Sequence, residues 1–243
     1  MKALVVGGSS GIGLSIVLNL ARRDEYEVIY VLDKAVFPEE YRTGKIIASL
    51  CDLSTGDYSC LENKEDIQAL YITAGFGHLK LFQELSEEYI QNSFYVNAIA
   101  PIQILRHYYD LLLSKKDFYC GVMVSIAGRL SSPLFSVYSA TKAALSKFIE
   151  AINVELDVQG SQNRILEVSP GSMKGTGFTG GKSHPEMTAE LAEEIIRRSE
   201  LHESLYIPQY EEVFKGVIER YRSDAHKFGV ESYWYKKKRQ GKE

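Results

Sequence analysis

The stretch GGSSGIG, residues 7–13 of the 243-residue chain, decides the fold that the sequence predicts. It follows a short apolar run over 3–6 that is typical of a buried strand, and apolar residues recur after it at helical spacing. Its glycines allow positive φ angles and let the backbone approach a ligand closely. A helix that begins here offers unpaired N–H groups and the positive end of its dipole to a pyrophosphate. The same glycines would also suit a plain strand-to-helix turn, so the loop alone leaves both interpretations open.

Strand-like and helix-like segments alternate outward from this loop. The predicted strands are 3–6, 28–32, 46–50, 69–73, 121–125, 165–168 and 205–207. The first predicted helix starts after residue 11. The further predicted helices cover about 86–93, 98–113, 136–158, 188–198 and 211–221. This alternation implies a parallel sheet with helices on both faces and right-handed crossovers. Since no repeat or linker divides the chain, we expect a doubly wound, Rossmann-like α/β fold of three layers, α/β/α, in a single domain over 1–243.

A glycine-rich stretch, 171–185, interrupts the alternation. Such stretches inside a compact domain are usually functional lids or disordered segments, and we expect a substrate lid near 171–187. Together with the helix near 188–198, the lid is expected to select the substrate through Met173, Lys174, Phe178, Lys182 and His184. The two lysines would suit an anionic substrate, although solvated loop lysines are the commoner case.

Charge and composition exclude several classes of partner. The formal net charge is −4, from 28 basic and 32 acidic residues, which disfavours nucleic acid and acidic membranes because phosphate binding needs a positive field. No apolar run approaches the roughly 20 residues of a membrane span, and the chain's start at an apolar strand leads us to expect no signal peptide. The cysteines, Cys51, Cys60 and Cys120, have no metal-ligand spacing and suit free thiols in a reducing compartment, so we expect a cytoplasmic protein. The basic run 236–239 is most simply a solvated tail.

Tyr138 and Lys142 lie four residues apart on a predicted helix and therefore share a face. A phenol, with an ordinary pKa of about 10, is a poor base at neutral pH, but a nearby ammonium would lower that pKa. The same spacing occurs at three other places in the chain, so the pair alone means little. Ser125 distinguishes this pair, because it ends a predicted strand thirteen residues earlier, at the edge where α/β sheets bind ligands. Together the three side chains predict a site in which Tyr138 acts as general acid or base.

Asp33 ends the second predicted strand, 20 residues beyond Gly13. A carboxylate at this position can accept both hydroxyls of an adenine ribose and would repel a 2′-phosphate. We therefore expect NAD in preference to NADP, although Lys34 beside it would pair with a 2′-phosphate.

These motifs resemble the short-chain dehydrogenase/reductase family over nearly the whole chain. Residues 6–13 resemble its TGxxxGIG pattern, residues 72–75 its NNAG motif, and Pro170-Gly171 its PG motif. Valine replaces the family's threonine at position 6, and Ile72-Thr73 replace its two asparagines, so we expect altered bracing of the central sheet. The segment between the third and fourth strands is short for the family, which suggests a trimmed helix.

The resemblance implies a catalytic set and a cofactor site. The catalytic set is Asn97, Ser125, Tyr138 and Lys142, in which Asn97 holds a water that relays protons through Lys142. The residues expected to contact NAD or NADP are Gly7, Ser9, Ser10, Gly11, Ile12, Gly13, Asp33, Asp52, Leu53, Thr73, Ala74, Gly75, Tyr138, Lys142, Pro170, Gly171 and Thr176. Read from the residues alone, Asp52 would equally suit the cap of a turn.

We therefore expect an oxidoreductase that interconverts an alcohol and a carbonyl compound, both small molecules, by hydride transfer with NAD(P). The alternative is a cofactor-binding sensor or scaffold of the same fold without turnover. A sugar-nucleotide epimerase or dehydratase is disfavoured, because only about 70 residues follow the PG motif. The helices around 98–113 and 138–158 resemble the pair that forms the family's subunit interface, which implies a homodimer or homotetramer by analogy.

Overall fold

The strands form one parallel sheet in the computed structural model, which describes residues 1–178, 182–239 and 241. Within those ranges the strands are β1 (Lys2–Val6), β2 (Val28–Asp33), β3 (Ile46–Leu50), β4 (Ala69–Ile72), β5 (Tyr119–Met123), β6 (Ile165–Val168) and β7 (Leu205–Tyr206). Their order across the sheet is β3-β2-β1-β4-β5-β6-β7. The predicted doubly wound, Rossmann-like fold is confirmed, and each predicted strand is present within two residues of its expected bounds.

The strand order reverses direction at β1, which pairs with β2 on one side and β4 on the other. Val6 at the end of β1 pairs with Leu32 and with Ile72. The residues that follow these strands therefore emerge side by side at the carboxyl edge of the sheet. Ligands of open α/β sheets bind in the crevice at such a point.

Helices cover both faces of the sheet and complete the three layers. Along the described chain they are α1 (Gly11–Ala21), α2 (Glu87–Phe94), α3 (Ala100–His107), α4 (Tyr109–Leu113), α5 (Ser136–Val158), α6 (Ala189–Glu200), α7 (Lys215–Ser223) and α8 (Ala225–Arg239). The apolar core on one face includes Leu14 of α1 and Ile195 of α6. The core on the other face includes Ile104 of α3, Leu112 of α4 and Leu145 of α5. Because both faces are covered, the central strands β1 and β4 are buried apolar runs apart from Lys2, as parallel sheets require.

Two helical predictions need correction. The segment predicted as one helix over 98–113 is π-helical at Tyr95–Ile99 and then divides into α3 and α4 at Tyr108, whose φ of −97° and ψ of 13° leave the helical region. The segment predicted as the last helix is π-helical at Tyr210–Phe214 and continues as α7. A further helix, α8, follows it after one extended residue, Asp224. The interpretation of residues 236–239 as a solvated tail holds only in part, because they form the last turn of α8, in which Lys238 and Arg239 are exposed and Lys236 is partly buried.

The cysteine prediction also needs correction. Cys51 and Cys60 are joined in a disulfide, with Cα atoms 6.1 Å apart, whereas Cys120 is free and buried. The fully described segment between β3 and β4 explains the pairing. It forms short 3₁₀ turns, Leu53–Thr55 and Ser59–Leu61, in place of the α-helix expected for the fold, and these turns fold the chain back on itself.

Among the described residues, no helix combines the length and the apolar character that crossing a bilayer requires.

Candidate active site

A cavity of about 1140 Å³ opens at the carboxyl edge of the sheet. It runs from the glycine loop past the ends of β2 and β4 to the side chains of α5. All the residues predicted for the catalytic set and the cofactor site line it, except Ser9 and Asn97. The fold therefore gathers into one crevice residues that are spread from position 7 to position 176 of the sequence.

The glycine loop is both a tight turn and an open helix end. Gly7 has a φ of +86°, and a Cβ atom there would lie 2.4 Å from the backbone nitrogen of Ala74, so only glycine fits against the end of β4. Ser10 precedes α1 in an extended conformation and makes no side-chain cap with the described residues. The Gly11 N–H donates to the hydroxyl of Ser183 at 2.7 Å, a contact from the lid region. A serine hydroxyl holds the position that an anionic oxygen prefers at a helix N-terminus, so the loop fits a pyrophosphate.

Asp33 lines the crevice at the end of β2, and backbone N–H groups hold its carboxylate. Its Oδ2 accepts the Ser9 N–H at 2.9 Å and its Oδ1 accepts the Ala35 N–H at 3.0 Å. An ionised carboxylate has about four acceptor positions, so two remain for ligand hydroxyls. Ser9 therefore supports Asp33 instead of facing the cavity, and its own hydroxyl donates to the Ala35 carbonyl at 3.2 Å.

Asp52 lines the cavity and also caps a turn. Its Oδ1 accepts hydrogen bonds from the Ser54 N–H at 2.9 Å and the Ser54 hydroxyl at 2.7 Å. These hydrogen bonds lower the pKa of the Asp52 carboxyl. The capping interpretation thus describes its local geometry, and the position on the cavity wall is compatible with an adenine contact as well.

Thr73 provides the altered bracing expected from the sequence. Its hydroxyl lies 3.0 Å from both the Val6 and the Gly7 carbonyl oxygens and donates between them. It ties the end of β4 to the end of β1, directly beneath the glycine loop.

Tyr138 of α5 is buried and meets Ser125 beyond the end of β5. Burial raises the pKa of the Tyr138 phenol to about 12, and a hydrogen bond with Ser125 opposes this rise. Ser125 itself begins a 3₁₀ turn, Ile126–Arg129, with its hydroxyl accepting the Ala127 N–H at 3.1 Å. The serine hydroxyl is thereby fixed beside the phenol.

Lys142 lies one helical turn further along α5 and is 2% exposed. Its Nζ donates to the Met123 carbonyl at 2.9 Å and stands 5.9 Å from the centre of the Tyr138 ring. Burial lowers the pKa of the Lys142 ammonium to about 8. The lysine thus lies beside the Tyr138 ring, and its charge changes within the ordinary pH range.

Asn97 lies in the π-helical segment and is fully buried. Its Oδ1 accepts the Phe76 N–H at 2.9 Å, and its Nδ2 donates to the Phe76 carbonyl at 2.8 Å. A Cβ atom on Gly75 would lie 3.2 Å from Asn97 Oδ1 and 3.3 Å from Lys142 Nζ. The amide therefore braces the loop after β4 and stands near Lys142, while its expected water relay stays a prediction.

Thr176, in the stretch predicted as a lid, contacts the glycine loop. A Cβ atom on Gly11 would lie 2.9 Å from the Thr176 carbonyl oxygen, and the Thr176 hydroxyl donates to the Met173 carbonyl at 3.2 Å. Of the lid side chains named from the sequence, Met173 and Phe178 line the cavity, whereas Lys174, Lys182 and His184 are not among its lining residues. The lid glycines at 180 and 181 lie outside the described residues.

Comparison with known proteins places this geometry in a family. The sequence model of the short chain dehydrogenases matches residues 1–187. The chain belongs to the short-chain dehydrogenase family. It is 29% identical over 213 residues to the uncharacterized oxidoreductase TDA5 of Saccharomyces cerevisiae, covering 82% of this chain and 65% of that protein. It is 32% identical over 176 residues to an uncharacterized short-chain type dehydrogenase/reductase, y4eK, of Sinorhizobium fredii, covering 71% of this chain and 69% of the relative.

Solved short-chain dehydrogenases share the whole fold. A short-chain dehydrogenase from Streptomyces avermitilis superposes with a TM-score of 0.73 at 19% identity, covering 95% of this chain and 98% of the other. One from Sphingobium yanoikuyae, solved in complex with NADPH, gives 0.71 at 19% identity and covers 92% and 95%. A 4-hydroxyisoleucine dehydrogenase complexed with NADH and succinate gives 0.69 at 19% identity and covers 84% and 96%. This short-chain dehydrogenase therefore has an NAD(P)-binding fold.

The sequence interpretation missed the far wall of the cavity. In this short-chain dehydrogenase that wall comes from the segment before α7, from α7 and from α8, together with the turn that precedes α5. Its members include Phe135, Phe214, Phe228, Tyr235 and Lys236. A signal was present in the sequence, because positions 228, 232, 235, 236 and 239 share one face of a helix.

Proposed function

We propose that this short-chain dehydrogenase interconverts an alcohol and a carbonyl compound, using NAD or NADP, with Tyr138 as the general acid or base. The observation that carries the proposal is the meeting of Tyr138, Ser125 and Lys142 in one crevice with the glycine loop. The matched part of the chain spans about two thirds of the length of the first curated relatives, so the reaction of the whole protein is part of the proposal.

Different groups of the protein bind the cofactor, hold the substrate and transfer the proton. The open N-terminus of α1 and the glycine loop bind the diphosphate, and Asp33 binds the adenine ribose. The nicotinamide supplies the hydride chemistry when it is bound. Ser125 holds the substrate oxygen beside the Tyr138 phenol, which gives that oxygen a proton during reduction and removes one during oxidation. Lys142, through its positive charge, lowers the free energy of the phenolate.

The decisive experiment is Tyr138→Phe, which removes the phenolic hydroxyl and keeps the ring. General acid–base groups contribute about 10²–10⁴-fold, so turnover should fall at least a hundredfold on a panel of ketones and alcohols, followed by the absorbance of reduced nicotinamide. Binding of the dinucleotide, followed by thermal shift, should be nearly unchanged. Tyr233→Phe is the matched control, because Tyr233 also precedes a lysine by four residues and does not line the cavity.

An active Tyr138→Phe variant would contradict the catalytic assignment. Dinucleotide binding by the wild type with no turnover on the whole panel would favour the alternative, a sensor or scaffold of the same fold.

We further propose NAD as the preferred cofactor, on the basis of the Asp33 carboxylate. Asp33→Asn should weaken NAD about tenfold relative to NADP, since it removes the charge that disfavours a 2′-phosphate. Thermal-shift titrations with the two dinucleotides measure this ratio. Asp57→Asn serves as the control, because Asp57 caps a turn at Ser59 away from the cavity. An unchanged ratio in Asp33→Asn would refute the preference.

Location in the cytoplasm is the last part of the proposal, and the disulfide between Cys51 and Cys60 counts against it. Disulfides are rare in the cytosol, so a thiol count on protein extracted under acid trapping decides the question. Three free thiols would support the cytoplasm, and one would point to an oxidising compartment.

A further inference from the structure

The inward face of α8 supplies polar groups to the far end of the cavity. Phe228, Ser232, Tyr235, Lys236 and Arg239 recur at helical spacing along one face, and all five line the cavity. Phe228 is 8% exposed, so α8 is anchored to the fold at its start. The helix is therefore a wall of the site.

Lys236 is a cation on this wall that pairs with no carboxylate of the described residues. Its Nζ donates to the Ser132 hydroxyl at 2.7 Å and to the Pro133 carbonyl at 3.0 Å, and both acceptors are neutral. Among the described residues it has no ion pair with a carboxylate within 4.0 Å. Burial lowers the pKa of the ammonium to about 8. An ammonium has three N–H donors, so one remains available.

The ammonium stands close to the reacting end of the site. Lys236 Nζ lies 5.8 Å from the centre of the Phe135 ring, and that ring lies 5.1 Å from the ring of Tyr138. Phe178 of the predicted lid completes this aromatic cluster, with its ring 6.4 Å from the Phe135 ring and 5.4 Å from the Tyr138 ring. A single phenyl ring thus separates the cation from the proposed acid or base.

The rest of this wall is apolar with an excess of positive charge. Arg220 stacks over Phe228 at 5.8 Å, and Arg239 stacks over Tyr235 at 5.7 Å. Glu231 is the carboxylate on this wall; it is exposed and makes no ion pair within the described chain. A cation taken out of water without a partner is unfavourable, and an arriving anion would remove that cost.

We propose that the substrate of this site is a carbonyl or alcohol compound with an apolar body and a carboxylate, which Lys236 binds. The proposal deepens the proposed function and rests on it. The reacting carbon lies at Tyr138, the apolar body lies among Phe135, Phe178 and Phe214, and the carboxylate accepts the free N–H of Lys236. Such a charge-assisted hydrogen bond is about twice as strong as a neutral one.

Binding of an unreactive pair of probes tests the proposal without turnover. We would titrate 4-phenylbutanoate and its neutral amide, 4-phenylbutanamide, by calorimetry into the full-length protein saturated with dinucleotide. The wild type should bind the acid at least tenfold more tightly than the amide at pH 7. Lys236→Met should abolish this preference, whereas Lys236→Arg should retain most of it. Lys237→Met is the matched control, because Lys237 is the next residue of α8, does not line the cavity and should leave the preference unchanged.

The proposal is overturned if the wild type shows no preference for the acid, or if a folded Lys236→Met variant keeps it. Folding of each variant is checked by its melting temperature. Turnover of 4-oxo-4-phenylbutanoate and its methyl ester is measured in parallel. A Lys236-dependent preference without turnover of either ketone would support the carboxylate site and would count against the proposed function, so the two failures are distinguishable.

Discussion

Burial drives Tyr138 and Lys142 in the same direction, towards their neutral forms. It raises the pKa of the phenol to about 12 and lowers that of the ammonium to about 8. The charged form of each group has lost its hydration, and a different neighbour compensates part of that loss for each of the two groups. For Tyr138 the neighbour is the Ser125 hydroxyl, and for Lys142 it is the Met123 carbonyl. The hydrogen bond with Ser125 therefore lowers the pKa of the phenol.

Ser125→Ala should move the pH profile of alcohol oxidation to higher pH. The hydrogen bond with Ser125 lowers the pKa of Tyr138, so the loss of this bond should raise the pKa of the phenol. Oxidation needs the ionised phenol, and its rate rises with pH through that pKa. We expect the profile to move upward in pH, together with a fall in kcat/KM at neutral pH of about tenfold or more.

The measurement is kcat/KM for alcohol oxidation as a function of pH in the wild type and the variant. Ser139→Ala is the control, because its hydroxyl donates to the Ala127 carbonyl at 2.6 Å and does not meet the phenol. An apparent pKa that is unchanged in Ser125→Ala would show that the serine does not tune Tyr138.

Single residues of the site differ in how far the sequence predicts them. Ser125, Tyr138 and Lys142 are separated by short offsets that a strand, a turn and a helix convert into proximity, so the pattern is readable. The position of Lys236 cannot be predicted in this way, because its partners Ser132 and Pro133 lie 104 and 103 positions away. Its burial depends on where α8 docks, which no local pattern specifies.

The 3₁₀ turn after β5 is pressed against α5, and this contact sets the position of Ser125. A Cβ atom on Gly128 would lie 2.7 Å from the Lys142 carbonyl carbon and 2.8 Å from the Ala143 nitrogen. Those atoms belong to helix backbone and cannot rotate away. Arg129, at the end of the turn, donates to the buried Glu167 of β6 at 2.6 Å. The turn is thus held from both sides.

Gly128→Ala should separate the turn from α5. We expect a loss of about 1–3 kcal/mol in the free energy of unfolding, which is the usual cost of overpacking. A displacement of about 1 Å between catalytic groups costs up to about a hundredfold in rate, so kcat should fall more than stability alone would suggest. Denaturant unfolding and steady-state kinetics measure the two effects.

Gly44→Ala is the control for that substitution, because a Cβ atom at Gly44 meets nothing within 4 Å. It should change neither quantity. Equal stability and activity in Gly128→Ala would mean that the turn adapts and does not fix Ser125.

Regular elements are predicted well where one apolar pattern decides them. α5 and β6 have the bounds expected from the sequence, since the helix has a long amphipathic pattern and the strand a short buried one. The break at Tyr108 and the π-helical turn around Asn97 have no such pattern, because side-chain contacts with other elements determine them. The bond from Asn97 to Phe76 across 21 positions is one of these contacts. The sequence does not predict α8 for a related reason. Its apolar face is narrow, and its basic run masks the amphipathic pattern.

The fold as a whole carries two lysines whose pKa values burial lowers to about 8, and this makes its stability depend on pH. Between about pH 8 and the ordinary lysine pKa of 10.5, the unfolded chain holds a proton at each site that the folded chain has released. Unfolding then takes up protons, so the free energy of unfolding rises with pH in this window. Buried tyrosines such as Tyr26 and Tyr71 have raised pKa values and reverse the trend above about pH 10.

We therefore expect the cofactor-free protein to be more stable at pH 9.5 than at pH 7.5, by about 2 kcal/mol from Lys142. Urea unfolding at the two pH values measures the difference. Lys142→Met should remove this share of the increase and leave the share of Lys236, whereas Lys237→Met should remove neither. A wild type that loses stability between these pH values, or a Lys142→Met variant with the same increase, would contradict the prediction.

Assembly is the other property of the whole molecule that the surface predicts. Val154 and Val158 on the outer side of α5 are 59% and 83% exposed, and exposed apolar side chains on a helix face favour association. We expect a homodimer or homotetramer in sedimentation experiments, and the double substitution Val154→Glu with Val158→Glu should shift it towards the monomer. A wild type that sediments as a monomer at micromolar concentration would refute this.

The bond between the Gly11 N–H and the Ser183 hydroxyl has a kinetic consequence. A dinucleotide can bind this N–H only after the serine hydroxyl has moved away. Opening of this contact therefore precedes association. In rapid mixing, the observed association rate should therefore level off at high dinucleotide concentration, at the rate of opening. Ser183→Ala removes the latch and should raise that plateau. A rate that stays linear in concentration for the wild type would mean that the serine leaves faster than the ligand arrives.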